Sequence, residues 1–234
     1  MQRTMIVLAA LLFALLFCPA HASVASVFTG IYEHKVWSAA GGGSGAGSTL
    51  AYTIGARHIL DEVVSAHNIT SIADVPCGSF HWMKNWMKNH SEIDYTGIDI
   101  VDLGLASQHA GDANLHFLTG DISAPYPLPP VDLVLSRDAL QHLPLSLIFG
   151  TLRNVRSADP RFFLVGSYPE AAAGNADIPI GEYFPIDLAR PPFSLGAPEV
   201  DFPEHTPDGK HLYLYTRAQM RAWQLPKHRK ALVL

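Results

Sequence analysis

A chain of 234 residues, 48% hydrophobic and 16% charged, is globular in composition and long enough to bury one ordinary core. Its formal net charge of −5 argues against a nucleic-acid surface built on bulk electrostatics, which needs clustered Lys and Arg. The nearest thing to a basic run, Lys227-His228-Arg229-Lys230, reads as a solvated tail.

The first residues read as a secretory signal. Arg3 supplies a small positive region, Met5 to Phe17 carries no charge or proline, and Ala20-His21-Ala22 places small residues where a signal peptidase cuts. The apolar run is short of the about 20 residues a membrane-spanning helix needs. The expectation is therefore a secreted or lumenal protein cut after Ala22, with an uncleaved membrane anchor as the alternative. Cys18 as a lipid-anchor site is weak, because bulky Phe17 precedes it. Cleavage would leave Cys77 alone, so no internal disulfide is expected. Asn68-Ile69-Thr70 and Asn89-His90-Ser91 are glycosylation sequons that matter only in a eukaryotic host.

The expected organisation is a signal at 1–22, an approach segment with a Gly-rich loop at 23–47, and one domain at 48–234. Ser23 to Trp37 reads as irregular. Gly41 to Gly47 reads either as a hinge or lid or as a plain linker; it lacks the ending of a phosphate loop and follows no strand. Ser48 or Thr49 caps a helix running to about His67, with Leu50, Ile54, Ile59, Leu60 and Val63 as its apolar stripe.

Strands and helices then alternate. Strands are predicted at 71–75, 94–100, 115–118, 131–136 and 162–167, and helices at 81–88, 103–109 and 145–155. This alternation predicts an α/β fold with a mostly parallel sheet between helices. From Tyr168 to Pro198 the texture becomes Pro- and Gly-rich, as in a long functional loop. A hairpin at 199–202 and 211–215 and a helix at 217–223 close the domain.

Ligands of such sheets bind beyond the carboxyl ends of the strands. Four successive ends carry small or acidic residues: Asp74 to Trp82, Gly97-Ile98-Asp99, Thr119-Gly120-Asp121-Ile122, and Ser136-Arg137-Asp138. Gly78 lets a ligand approach the backbone, unless it is only a helix-entry turn. Asp99 can accept both hydroxyls of a ribose, and Asp121 an exocyclic amine such as that of adenine; together they favour a nucleoside. Twelve histidines show no metal-site spacing, so no metal is expected.

The order of these elements resembles the class I S-adenosylmethionine-dependent methyltransferases. More closely, the chain is similar to a little-characterised subgroup with three short motifs. They stand here as Ser44-Gly45-Ala46-Gly47-Ser48, Asp74-Val75-Pro76-Cys77-Gly78 through Trp82, and Arg137-Asp138-Ala139-Leu140-Gln141-His142-Leu143. Asn175-Ala176-Asp177-Ile178 and Pro191-Pro192-Phe193 match further elements. Pro76 and Phe80 replace two glycines usual in the wider family.

The resemblance implies a Rossmann-like fold, with a mostly parallel seven-stranded sheet closed by an antiparallel hairpin. It implies S-adenosyl-L-methionine as methyl donor, held by Asp74, Cys77, Gly78, Asp99, Ile100, Asp121 and Ile122. Arg137, Asp138 and His142 would stand near the sulfonium, with His142 either a general base or a histidine in a structural hydrogen bond. Asn175 and Asp177 are expected to face the acceptor, a small molecule or, from the export signal alone, a saccharide. Two rivals stand: a nicotinamide enzyme, whose Gly-x-Gly-x-x-Gly is missing here, and a non-catalytic binding protein on the same fold.

Overall fold

The computed structural model describes residues 23–226. The expected signal segment at 1–22 and Lys227–Lys230 lie outside them. Seven strands form one sheet: β1 (Ser71–Asp74), β2 (Asp94–Asp99), β3 (Leu115–Thr119), β4 (Leu133–Ser136), β5 (Phe162–Ser167), β6 (Val200–Pro203) and β7 (His211–Thr216). Their order is β3-β2-β1-β4-β5-β7-β6, parallel from β3 to β5, with β7 antiparallel to both β5 and β6. The mostly parallel sheet and its closing hairpin are as expected.

The period-two pattern of the strands divides the core into two layers. Leu133, Leu135, Leu164, Leu212 and Leu214 face one side, where α2 (Ile54–His67) and α3 (His81–Met87) cover them. Val134, Phe163, Val165, Tyr213 and Tyr215 face the other, under α5 (Leu145–Ala158) and α6 (Arg217–Ala222). Helix α4 (Leu105–Gln108) is a single turn between β2 and β3. The sheet order reverses between β1 and β4, and the carboxyl ends of these strands form the crevice that holds the site.

Three expectations need correction. Residues expected to be irregular contain a helix, α1 (Val24–Glu33), capped by Ser23, whose hydroxyl accepts from the Ser26 amide. Helix α2 begins at Ile54, later than Ser48 or Thr49, and Leu50 and Ile54 are exposed while Ile59, Leu60 and Val63 are buried. Of the two readings of the Gly41–Gly47 run, a hinge or lid or a plain linker, the plain linker is the one that fails, because the run is folded and hydrogen-bonded to the turn after β1. Positive φ at Gly41, Gly42, Gly43 and Gly45 folds it into two short turns docked on the sheet. The loop from 169 to 198 does lack regular structure, but Phe184, Ile186, Leu188 and Phe193 plug the core beside β5.

Candidate active site

The turn after β1 and the Gly-rich loop form one unit. The Ser44 hydroxyl accepts from the Ser79 amide at 2.9 Å, and the Ser79 hydroxyl donates to the Gly41 carbonyl at 2.7 Å. Gly78 has φ +56°, and a Cβ there would stand 2.8 Å from the Ser44 oxygen. A side chain at this position would push the loop away, so glycine is required by conformation and by space. The Cys77 thiol is buried and burial pushes its pKa well up, so it is a small packed residue and no thiolate nucleophile.

Asp99, at the end of β2, is buried and accepts the Gly78 amide on Oδ2 and the Val101 amide on Oδ1, both at 2.9 Å. Burial pushes its carboxyl up, against the backbone amides of Val101, Gly78 and Ile100, and the residue lines the crevice. Asp74 lies deeper, fully buried, with the Tyr95 hydroxyl donating to it at 2.8 Å. Burial pushes its carboxyl up to about 7, against that hydrogen bond. Asp121 is placed differently. Its Oδ1 accepts from both the amide and the hydroxyl of Ser123, and the cavity is lined by its neighbours Gly120 and Ile122 instead.

Past β4 the chain reaches a buried charge cluster. Arg137 makes a bidentate pair with Glu204, at 3.0 Å from Nε and 2.8 Å from Nη2, and donates to the Gly47 carbonyl at 2.8 Å. Asp138 adopts φ +53° and receives the Lys210 ammonium at 2.6 Å and the Gln141 amide at 2.8 Å. Burial pushes the Asp138 carboxyl up, but Arg137 and Lys210 outweigh it and hold its pKa below the ordinary value. A Cβ on Gly47 would meet Asp138 Oδ2 at 2.5 Å, so the Gly-rich loop can close over this carboxylate only as glycine.

His142 follows one turn later. Its Nδ1 donates to the Glu182 carbonyl at 2.8 Å, which fixes the tautomer and leaves the Nε2 lone pair free. Its ring centroid lies 4.7 Å from that of Trp37 and 5.7 Å from that of Tyr183. Burial lowers its pKa, more than the Glu182 carbonyl raises it, so the imidazole is neutral at neutral pH.

Two cavities meet at these residues. The first, about 900 Å³ including its open mouth, has Pro76 to Gly78, Asp99, Ile100, Ile122 and Leu143 in its walls, with Val24, Phe28 and Tyr32 of α1 alongside. The second, about 770 Å³ with its mouth, is lined by Tyr52, Tyr168, Tyr183, Asp208 and Lys210. Trp37, Ser44, Asp138 and His142 border both. The structure thus brings together Asp74, Cys77, Gly78, Asp99, Ile100, Ile122, Arg137, Asp138 and His142 around the first cavity.

Asn175 and Asp177 border neither. The Asn175 amide donates to the Asp187 and Pro191 carbonyls and its oxygen accepts from the Asp187 amide, stapling the loop to itself. Asp177 Oδ1 accepts from the Leu145 amide at the start of α5. Both face the loop and a helix end, not an acceptor. Of the residues that line the second cavity, Asp138 and His142 were singled out from the sequence, whereas Trp37, Tyr52, Tyr168, Asp208 and Lys210 were not. Trp37, Tyr52, Asp208 and Lys210 carry no local motif.

No protein-family model and no curated relative matches the sequence. Among solved structures, the chain is similar to the Burkholderia thailandensis 1,6-didemethyltoxoflavin-N1-methyltransferase, crystallised with 1,6-didemethyltoxoflavin and S-adenosylhomocysteine bound. The TM-score is 0.56 at 12% identity, over 82% of this chain and 86% of that one. It is also similar to PigF with S-adenosylhomocysteine (TM-score 0.54, 12% identity, 71% of this chain and 56% of that). Human N-acetylserotonin methyltransferase with S-adenosylmethionine gives 0.52 at 17% identity, over 81% of this chain and 58% of that one. The chain spans less than two thirds of the length of these last two. At such identities the likeness establishes the fold. The chain has the Rossmann-like fold of S-adenosylmethionine-dependent methyltransferases.

Proposed function

We propose that the protein transfers a methyl group from S-adenosyl-L-methionine to a hydroxyl of a small molecule. The observation that carries this reading is His142, held through Nδ1 with Nε2 free, at the junction of the two cavities. The first cavity fits the donor chemically. Asp99 offers its carboxyl to a sugar diol, the apolar walls at Ile100, Ile122 and Leu143 suit a flat base, and Gly78 leaves the backbone approachable. Bound there, the donor supplies an electrophilic methyl on a sulfonium.

The chain's own contribution is positioning and one proton transfer. A hydroxyl in the second cavity would give its proton to His142 Nε2 as its oxygen gains the methyl carbon, whose bond to sulfur breaks with the electron pair leaving on the thioether of S-adenosylhomocysteine. Asp138 stays ionised between Arg137 and Lys210, so it favours the imidazolium that forms without taking the proton itself. A saccharide acceptor has the export signal behind it, and the aromatic walls of the second cavity suit a sugar ring as well as an aromatic one. Calorimetry with S-adenosylhomocysteine on the purified chain tests the donor half. Binding in the micromolar range supports the reading, and no heat at millimolar ligand defeats it. Export through residues 1–22 is proposed alongside; an N-terminus other than Ser23 on the secreted chain would defeat cleavage there.

A further inference from the structure

The second cavity holds an imbalance of charge. Arg137, Lys210, Asp138 and Glu204 form a closed set of two cations and two anions, and the side chains of Arg137, Lys210 and Glu204 are 2%, 2% and 0% exposed. Neither cation is available to a ligand. Lys210 is spent on Asp138, with its ammonium 4.9 Å from the Tyr52 ring centre and 5.8 Å from that of Tyr168. Among the described residues no other Lys or Arg lines this cavity, and neutral His142 adds no charge.

Asp208 stands outside the balanced set, exposed at the cavity rim. Partial burial raises its carboxyl, but the Tyr52 and Thr206 hydroxyls and the Lys210 charge outweigh that, so it stays ionised. The cavity therefore presents one surplus negative charge among walls that include Trp37 and Tyr183. Aromatic faces attract cations and a carboxylate repels anions, so both point the same way.

We propose that this cavity selects a hydroxylated acceptor carrying an ammonium group, with Asp208 as the residue that makes the selection. This rests on the reading of the cavity as the acceptor site. The hydroxyl lies toward His142 and the ammonium toward the rim.

Tyramine, 4-hydroxyphenethyl alcohol and 4-hydroxyphenylacetate share one phenol and differ only in a tail that is positive, neutral or negative. Each is titrated by calorimetry into the full chain saturated with S-adenosylhomocysteine, with glucosamine and glucose as a second, non-aromatic pair. Tyramine is expected to bind about tenfold tighter than the alcohol, with the acid weakest. Asp208→Asn, a substitution at an exposed rim position, should remove the tyramine preference and leave the melting temperature unchanged. A glucosamine preference over glucose that vanishes in the same variant also supports the proposal and moves the scaffold from aromatic to sugar. Acid binding as tight as tyramine, or an unchanged order in Asp208→Asn, overturns it. Binding of none of the five by a chain that binds S-adenosylhomocysteine overturns it while the donor reading stands. A chain that does not bind S-adenosylhomocysteine defeats the underlying reading instead.

Discussion

The two cavities differ in how the chain builds them. Walls of the first come from successive strand ends between Asp74 and Leu143, at or shortly after the end of a strand, with α1, Trp37 and the Gly-rich loop brought from elsewhere. The second adds to the Ser44–Gly47 and Asp138–His142 motif residues a set that belongs to no motif: Trp37, Tyr52, Tyr168, Tyr183, Asp208 and Lys210. The contacts that close it run between residues far apart in sequence: Lys210 to Asp138 across 72 positions, Arg137 to Gly47 across 90. A cavity made by local turn geometry can be read from spacing. One made by long-range pairing can be read only after the fold exists. On the proposed function, the donor takes the first cavity and the acceptor the second, and mutations should separate the two.

The largest effect is expected at the junction. His142→Ala should lower turnover by about 10²- to 10⁴-fold while S-adenosylhomocysteine binds as before. In the native protein burial lowers the His142 pKa below its ordinary value, so protonation removes the base only on the acid side. Turnover should therefore be flat through neutral pH and fall below about 6.5. A profile whose acid limb lies above pH 7, or a His142→Ala variant with native turnover, would remove His142 from the proton transfer.

Next comes the buried cluster behind the second cavity. Glu204→Ala leaves Arg137 and Lys210, each 2% exposed, facing Asp138 alone. Breaking such a pair costs about 3–5 kcal/mol, or roughly 6–20 °C of melting temperature for a domain of this size. A shift under 2 °C in thermal denaturation would show that water enters the site and screens the charges.

The first cavity gives a smaller and purer effect. Asp99→Asn keeps one acceptor but turns an amide N–H toward either the Gly78 or the Val101 N–H that the carboxylate now satisfies. Losing one charged hydrogen bond there should weaken S-adenosylhomocysteine by about 10- to 150-fold, from about 1.5–3 kcal/mol. Tyramine binding, measured without nucleoside, should not change. If both ligands weaken together, the two cavities are not separate sites.

How much was legible follows the same division. The strands, their order of appearance and the closing hairpin were readable because alternating buried runs and turn residues are local signals. Asp99 and Gly78 could be placed at the crevice because each stands at or just after a predicted strand end. Helix α1 was missed because Ser23 caps it just past the apolar signal segment, and Val24 to Glu33 contains a glycine and β-branched residues that weaken helix propensity. Asp121 fell where an adenine contact was expected, yet a serine two residues on captured its carboxylate in a local turn. Lys210 and Glu204 gave no sign, since a lone charge in a hairpin normally points to solvent.

The smallest expected effect concerns Asp177, taken from its sequence neighbourhood for an acceptor contact. Helix α5 starts after Pro144, which offers no side-chain cap, so the Leu145 amide would be an unsatisfied donor at the positive end of the helix. Asp177 reaches it from the long loop at 2.9 Å and brings a negative charge to that end. This is capping performed by a residue 32 positions away. Replacing a capping carboxylate with alanine costs about 1 kcal/mol, or roughly 2–4 °C in a domain of this length. Asp177→Ala should therefore lower the melting temperature by that amount and leave both S-adenosylhomocysteine affinity and turnover within twofold of native. Because Phe184, Ile186 and Leu188 anchor the loop in the core, loss of the cap should not release Tyr183 from the second cavity. A variant with native melting temperature but turnover reduced tenfold would return Asp177 to the acceptor site, and the division between the two cavities would have to be redrawn to include the long loop.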